Sequence, residues 1–106
     1  MQETPPEKYR ELKTRHPNAI SALETLGQTL KQEGPIDNKT AQLIQLAAAA
    51  AIRSEGAVHS HTRRALEAGS TAEEIRHAII LLTSTIGFPT MVAAMSWVDT
   101  ILGSEA

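Results

Sequence analysis

A chain of 106 residues and 11.4 kDa has the size of one small domain, and 42% hydrophobic with 21% charged residues is the composition of a globular protein, not a disordered one. A formal charge of −2 with a pI near 6.1 supplies no basic footprint for nucleic acid. The absence of cysteine excludes structural disulfides, thiolate nucleophiles, thiol redox centres and cysteine-held zinc or iron–sulfur clusters.

Tyr9, Phe88 and Trp97 are the only rings outside histidine, so small aliphatic side chains must fill the core. That favours closely packed helices, with burial against other copies of the chain as a supplement. Residues 1–8 carry Glu3, Pro5, Pro6 and Glu7 in place of the apolar run of a signal peptide, which makes the cytoplasm the expected location.

The elements follow in chain order. A short polar helix is predicted over 7–15, closed by His16-Pro17 because the residue before proline avoids helical torsions. From Asn18, the spacing of Ile20, Leu23, Leu26 and Leu30 gives one helix face, stopped at Gly34-Pro35. Asp37 or Asn38 caps a third helix, a run with Leu43, Ile44, Leu46, Ala47, Ala50 and Ala51 that ends near 53–56. The chain bends at Gly56, and a helix over 57–68 ends on Gly69, where a left-handed cap is wanted.

Ser70-Thr71 with Glu73 and Glu74 is a capping-box signature opening a helix whose inner stripe is Ile75, Ile79, Leu82 and Ile86. Gly87-Phe88-Pro89 breaks the chain, and Val92, Met95, Val98 and Leu102 form a last apolar face. The uncharged stretch 78–98 has the length of a bilayer span, but Gly87, Pro89 and five hydroxyl residues make it two buried helices and no membrane segment. The expected architecture is all-α, five to six helices in a single domain over 1–106.

Chemistry concentrates around 54–61. On a helix over 57–68, Val58, Thr62, Ala65 and Leu66 share an arc; His61 lies within it and His59 at its edge. An imidazole there reads either as a satisfied core histidine or as a group that exchanges protons near neutrality. Ser54 and Glu55 gather polar atoms at the same junction, as pockets on helix junctions do. Glu55 and His59, four apart, share a face and offer a weak metal pair, but His59 and His61 diverge by about 160° and do not grip one ion together. No metal and no cofactor are expected. His16 and His77 read as surface residues at helix ends; Arg63-Arg64 reads as a solvated face, or as a carboxylate clamp in a neighbouring subunit.

Four stretches carry a family resemblance: Lys39-Thr40-Ala41-Gln42-Leu43-Ile44-Gln45-Leu46-Ala47, residues 54–61, Ala65-Leu66-Glu67-Ala68-Gly69-Ser70-Thr71-Ala72-Glu73-Glu74-Ile75, and Gly87-Phe88-Pro89. Together they resemble the carboxymuconolactone decarboxylase family, which includes the alkyl hydroperoxidase D-like proteins, over roughly 17–102. The resemblance implies an all-helical unit in an obligate homo-oligomer, a trimer or hexamer, with a pocket near subunit contacts.

In the hydroperoxidase branch the pocket resembles a relay: a Glu on the first family helix, a Cys-x-x-Cys pair with a His between, and a second His four residues on. These positions fall on Gln42, Ser54, Gly56, Ala57 and His61, so only His61 is retained. A hydroxyl at Ser54 neither forms a disulfide nor ionises near pH 7, so thiol peroxidase activity is not expected. The decarboxylase branch resembles a pattern with Glu four residues before the His; that position is Ala57, and Glu55 is the nearest substitute.

The expected function is a cofactor-independent lyase acting on a small organic acid or lactone. His61 transfers the proton, Glu55 orients or exchanges it, and Ser54 and His59 bind substrate. The alternative is a non-catalytic oligomeric scaffold or small-molecule binding protein that has lost the relay.

Overall fold

A computed structural model of the chain describes residues 7–103. The reading of the first residues as leader-free, and the part assigned to Pro5 and Pro6, lie outside the described residues apart from Glu7 and Lys8. The chain divides into two compact units, Met1–Asp37 and Asn38–Ala106. Every described secondary-structure element is a helix.

The first unit holds α1 (Glu7–Arg15) and α2 (Pro17–Gln32). Pro17 opens α2 at a position where its missing N–H costs nothing. The Tyr9 hydroxyl donates to the Glu24 carboxylate, which Lys13 also meets at 3.3 Å, fastening α1 to α2. Neither helix has a buried residue. Leu23, Leu26 and Leu30, on the apolar face that the spacing predicts, are each more than half exposed.

The second unit holds α3 (Asn38–Ala51), α4 (Glu55–Glu67), α5 (Ala72–Ile80), the single-turn α6 (Thr83–Ile86) and α7 (Phe88–Leu102). Its core is Leu46, Ala49 and Ala50 of α3, Val58 and Ala65 of α4, Ile75 and Ile79 of α5, and Met91, Ala94, Val98 and Leu102 of α7. No aromatic side chain belongs to it; Trp97 packs only at its margin and Phe88 is exposed. Alanines at Ala49, Ala50, Ala65 and Ala94 let the helices approach closely, so density comes from proximity instead of side-chain bulk.

Three predicted details shift. The break between α3 and α4 falls at Arg53, not at Gly56. Arg53 adopts φ 57°, and the amides of Arg53 and Ser54 bond back to the carbonyls of Ala50 and Ala49 at 3.0 Å, the paired pattern that closes a helix with a left-handed residue. Ser54 then caps α4 and Glu55 enters its first turn, where a carboxylate suits the helix dipole, leaving Gly56 inside the helix.

The predicted helix over 71–86 is also split. The Thr83 hydroxyl bonds the Ile80 carbonyl at 2.7 Å and the Leu82 amide bonds Ile79, a local alternative to the helical ladder. On α7, Val98 and Leu102 are buried and Met95 packs against the core as predicted, but Val92 is exposed and Met91 and Ala94 complete the inner face. Leu66, placed on the inner arc of α4, is likewise exposed, as are Ile44 and Ala51 of α3.

The end of α4 follows expectation. Gly69, at φ 102°, takes the left-handed position, its amide on Leu66 and that of Ser70 on Ala65. Thr71 and Glu74 then complete a reciprocal capping box that opens α5. Glu74 also meets Lys39 at 3.1 Å, joining the first turns of α5 and α3. Arg76 on Asp99 at 2.9 Å joins α5 to α7, and Arg53 on the Thr90 hydroxyl at 2.9 Å joins the α3–α4 turn to the start of α7. Among the described residues, no helix is long and apolar enough to cross a membrane.

Candidate functional site

Helices α3 and α4, linked by three residues, form a helical hairpin, and the candidate residues lie on it. His61 is half-buried in the middle of α4, and its Nδ1 lies 3.1 Å from Oε1 of Gln42 on α3. Gln42 is only 4% exposed, the one buried glutamine of α3, and its Nε2 donates to Oδ1 of Asn38 one turn earlier at 3.4 Å. The spacing explains the array: Asn38 and Gln42 are four apart on one helix face, and the hairpin brings the second turn of α4 opposite them. Gln45, three residues after Gln42, holds its Oε1 out of solvent without a hydrogen-bond partner.

The other predicted residues occupy different places. The Ser54 hydroxyl accepts the Ala57 amide at 3.4 Å, so its structural task is to cap α4. Glu55 is exposed and its carboxylate lies 3.8 Å from Nε2 of half-buried His59. Six residues separate Glu55 from His61, which sets them about 120° apart around the helix. The hairpin therefore builds two stripes: Glu55 with His59, and Gln42 with His61. Thr62, between them, satisfies its buried hydroxyl on the Val58 carbonyl at 2.7 Å. Among the described residues, no group of three or more His, Cys, Asp or Glu is arranged to hold a metal ion.

A groove of about 510 Å³ lies on another part of this unit, lined by Glu73, Glu74, Arg76, His77, Ile80 and Met95 from α5 and α7. It contains none of Ser54, Glu55, His59 or His61. Within it, the Glu74 carboxyl is held below the usual carboxylate range, first by the hydrogen bond from the Thr71 amide and then by Lys39. That charge belongs to the capping box and the α3–α5 link, a structural duty.

Comparison with known sequences decides the ancestry of the hairpin. The carboxymuconolactone decarboxylase family profile matches residues 17–100. The chain belongs to the carboxymuconolactone decarboxylase family. An uncharacterized protein of Methanocaldococcus jannaschii, MJ1511, is 26% identical over 101 residues, covering 95% of this chain and 94% of its own. Within the family relay that the resemblance implies, Gln42 stands at the position of the Glu and His61 at that of the second His, and in this member the two side chains meet. Sequence reasoning counted Gln42 as a loss and read Asn38 only as a cap. The available signal was the Asn38–Gln42 spacing of four, which aims both amides along one face toward the following helix.

Proposed function

We propose that this protein is a cysteine-free, cofactor-independent lyase of the carboxymuconolactone decarboxylase family, acting on a small organic acid or lactone through proton transfer at His61. The observation that supports it is the 3.1 Å contact between His61 Nδ1 and buried Gln42. A histidine oriented by a buried hydrogen-bonding partner has the general acid–base arrangement, and imidazole is the side chain suited to exchanging protons near neutrality. The chain assembles as a homo-oligomer in this reading, which the exposed Leu23, Leu26 and Leu30 of α2 support, and it works in the cytoplasm. Glu55 and His59 form a neighbouring stripe that contributes to substrate binding, beside Ser54.

The test is a panel of lactones and keto acids followed by carbon dioxide release and by ultraviolet loss of substrate, run on the parent and on His61→Ala. Turnover in the parent and a fall of about 10²–10⁴-fold in the variant are expected for a general acid–base residue. Undiminished turnover in His61→Ala removes that residue from the reaction. With an organic hydroperoxide and a dithiol donor, no consumption above buffer is expected, because the chain contains no sulfur able to carry dithiol exchange.

One observation favours a second reading. The Ser54 hydroxyl is engaged in capping α4 and the relay carboxylate is an amide here, so a family member retaining the fold as a non-catalytic small-molecule binding protein shows the same hairpin. Saturable binding of panel compounds without turnover in the parent selects that reading.

A further inference from the structure

Helix α2 presents two faces. Its half-buried positions are Ile20, Glu24, Gly27 and Lys31, which share one side at about 100° per residue, and there Glu24 meets Tyr9 and Lys13 of α1. Leu23, Leu26 and Leu30 lie on the other, within an arc of about 60°, and are 57%, 52% and 59% exposed. Neither α1 nor α2 has a buried residue, so this hairpin has no core of its own.

Three further observations say what covers the leucines. Their steps of three and four are those of the a, d and a positions of a coiled-coil seam, and the charged Glu24 and Lys31 stand on the α1 side, away from it. A Cβ built on Gly27 meets no atom within 4 Å, so the edge of the seam beside Leu26 is open. The first turn of α2 has no acidic residue and no side-chain cap, whereas Glu33 stands at its C-cap.

We infer that α2 pairs with α2 of a second copy of this chain, antiparallel, about a two-fold axis that passes between Leu26 and Gly27. Leu23 then packs on the partner's Leu30, and Leu26 fills the open space at the partner's Gly27. Glu33 falls level with the first turn of the opposite helix, where a carboxylate suits a positive helix end that lacks its own. A parallel pair would leave Gly27 unfilled and set Glu33 beside the partner's Glu33. The contact is isologous, so each of these interactions occurs twice. The inference rests on the homo-oligomer of the proposed function and names its surface; no step of the lyase chemistry enters it.

Because the chain contains no cysteine, single cysteines introduced into the full-length protein report the pairing directly. Leu26→Cys, next to the axis, is expected to form a disulfide-linked dimer under mild oxidation. Leu23→Cys and Leu30→Cys each lie about 10 Å along the axis from their own copies and are expected to stay unlinked alone, yet to link when the two are co-expressed. Leu26→Arg is expected to halve the mass found by light scattering, with helical circular dichroism retained.

Self-linking of Leu23→Cys overturns the proposal, because the helices are then parallel. So does an oligomer in which Leu26→Cys does not link, where α2 packs on another surface such as the α5–α7 groove; the homo-oligomer reading survives that result. A mass unchanged by Leu26→Arg also refutes it, and if that variant does not fold, the cysteine pattern decides. A parent that is monomeric refutes both the pairing and the homo-oligomer reading.

Discussion

Two glycine-to-alanine substitutions in α4 and its cap should change stability in opposite directions, although the steric space is the same. A Cβ built on Gly56 or on Gly69 meets no atom within 4 Å, so neither substitution creates a clash. The difference is in the backbone. Gly56 lies within the first turn of α4, and Ala there reduces the freedom of the unfolded chain, which stabilises by about 0.5–1 kcal/mol. Gly69 sits at φ 102°, where an L side chain costs about 1–2 kcal/mol. The two variants should therefore differ by about 1.5–3 kcal/mol, which for a small domain is on the order of 10 °C in Tm.

Urea denaturation followed by helical circular dichroism, with the slope unchanged among the three proteins, measures the difference. A destabilised Gly56→Ala is the refuting outcome. It would return the bend to Gly56 and detach Ser54 and Glu55 from the start of α4.

Other expectations concern the supports of the hairpin. Leu46→Ala removes a fully buried core side chain of α3 and should cost about 2–5 kcal/mol in the same denaturation experiment. Thr71→Ala removes one half of the α5 capping box and should cost about 1 kcal/mol. The lowered Glu74 carboxyl contributes stability that is complete above its ordinary value of 4.5 and disappears as pH falls through the lowered value. Denaturation midpoints of the parent and Glu74→Gln, measured from pH 6 downward, should converge below that point; a gap that widens with acidity would contradict the assigned sign.

The helical class and most boundaries were legible because their signals are local. Gly34-Pro35, Gly69 and the Thr71–Glu74 box each act within one turn of the residues that display them. The Arg53 turn was illegible for the converse reason: left-handed torsions in a non-glycine residue carry no compositional mark, and Gly56 offered a false one. The leucine stripe of α2 was read correctly as a helix face, yet periodicity says only that a face is apolar, not what covers it.

At the candidate site, helical angles placed His61 toward the interior but gave no partner, since Gln42 lies on another element nineteen residues away. Glu55 was assigned to His61 from nearness in sequence, whereas the fold places it beside His59. The angle between positions 55 and 61 was already computable once both were known to share one helix; the misplaced bend hid that.

Because Gln42 and His61 sit on consecutive helices joined by three residues, their meeting requires only a short loop closure, well under the span of the chain. Contacts of such low sequence separation form early and quickly when a chain folds. The histidine and its amide are thus the product of one local hairpin, whose closure depends on the three-residue turn at Arg53 and not on the helices that follow.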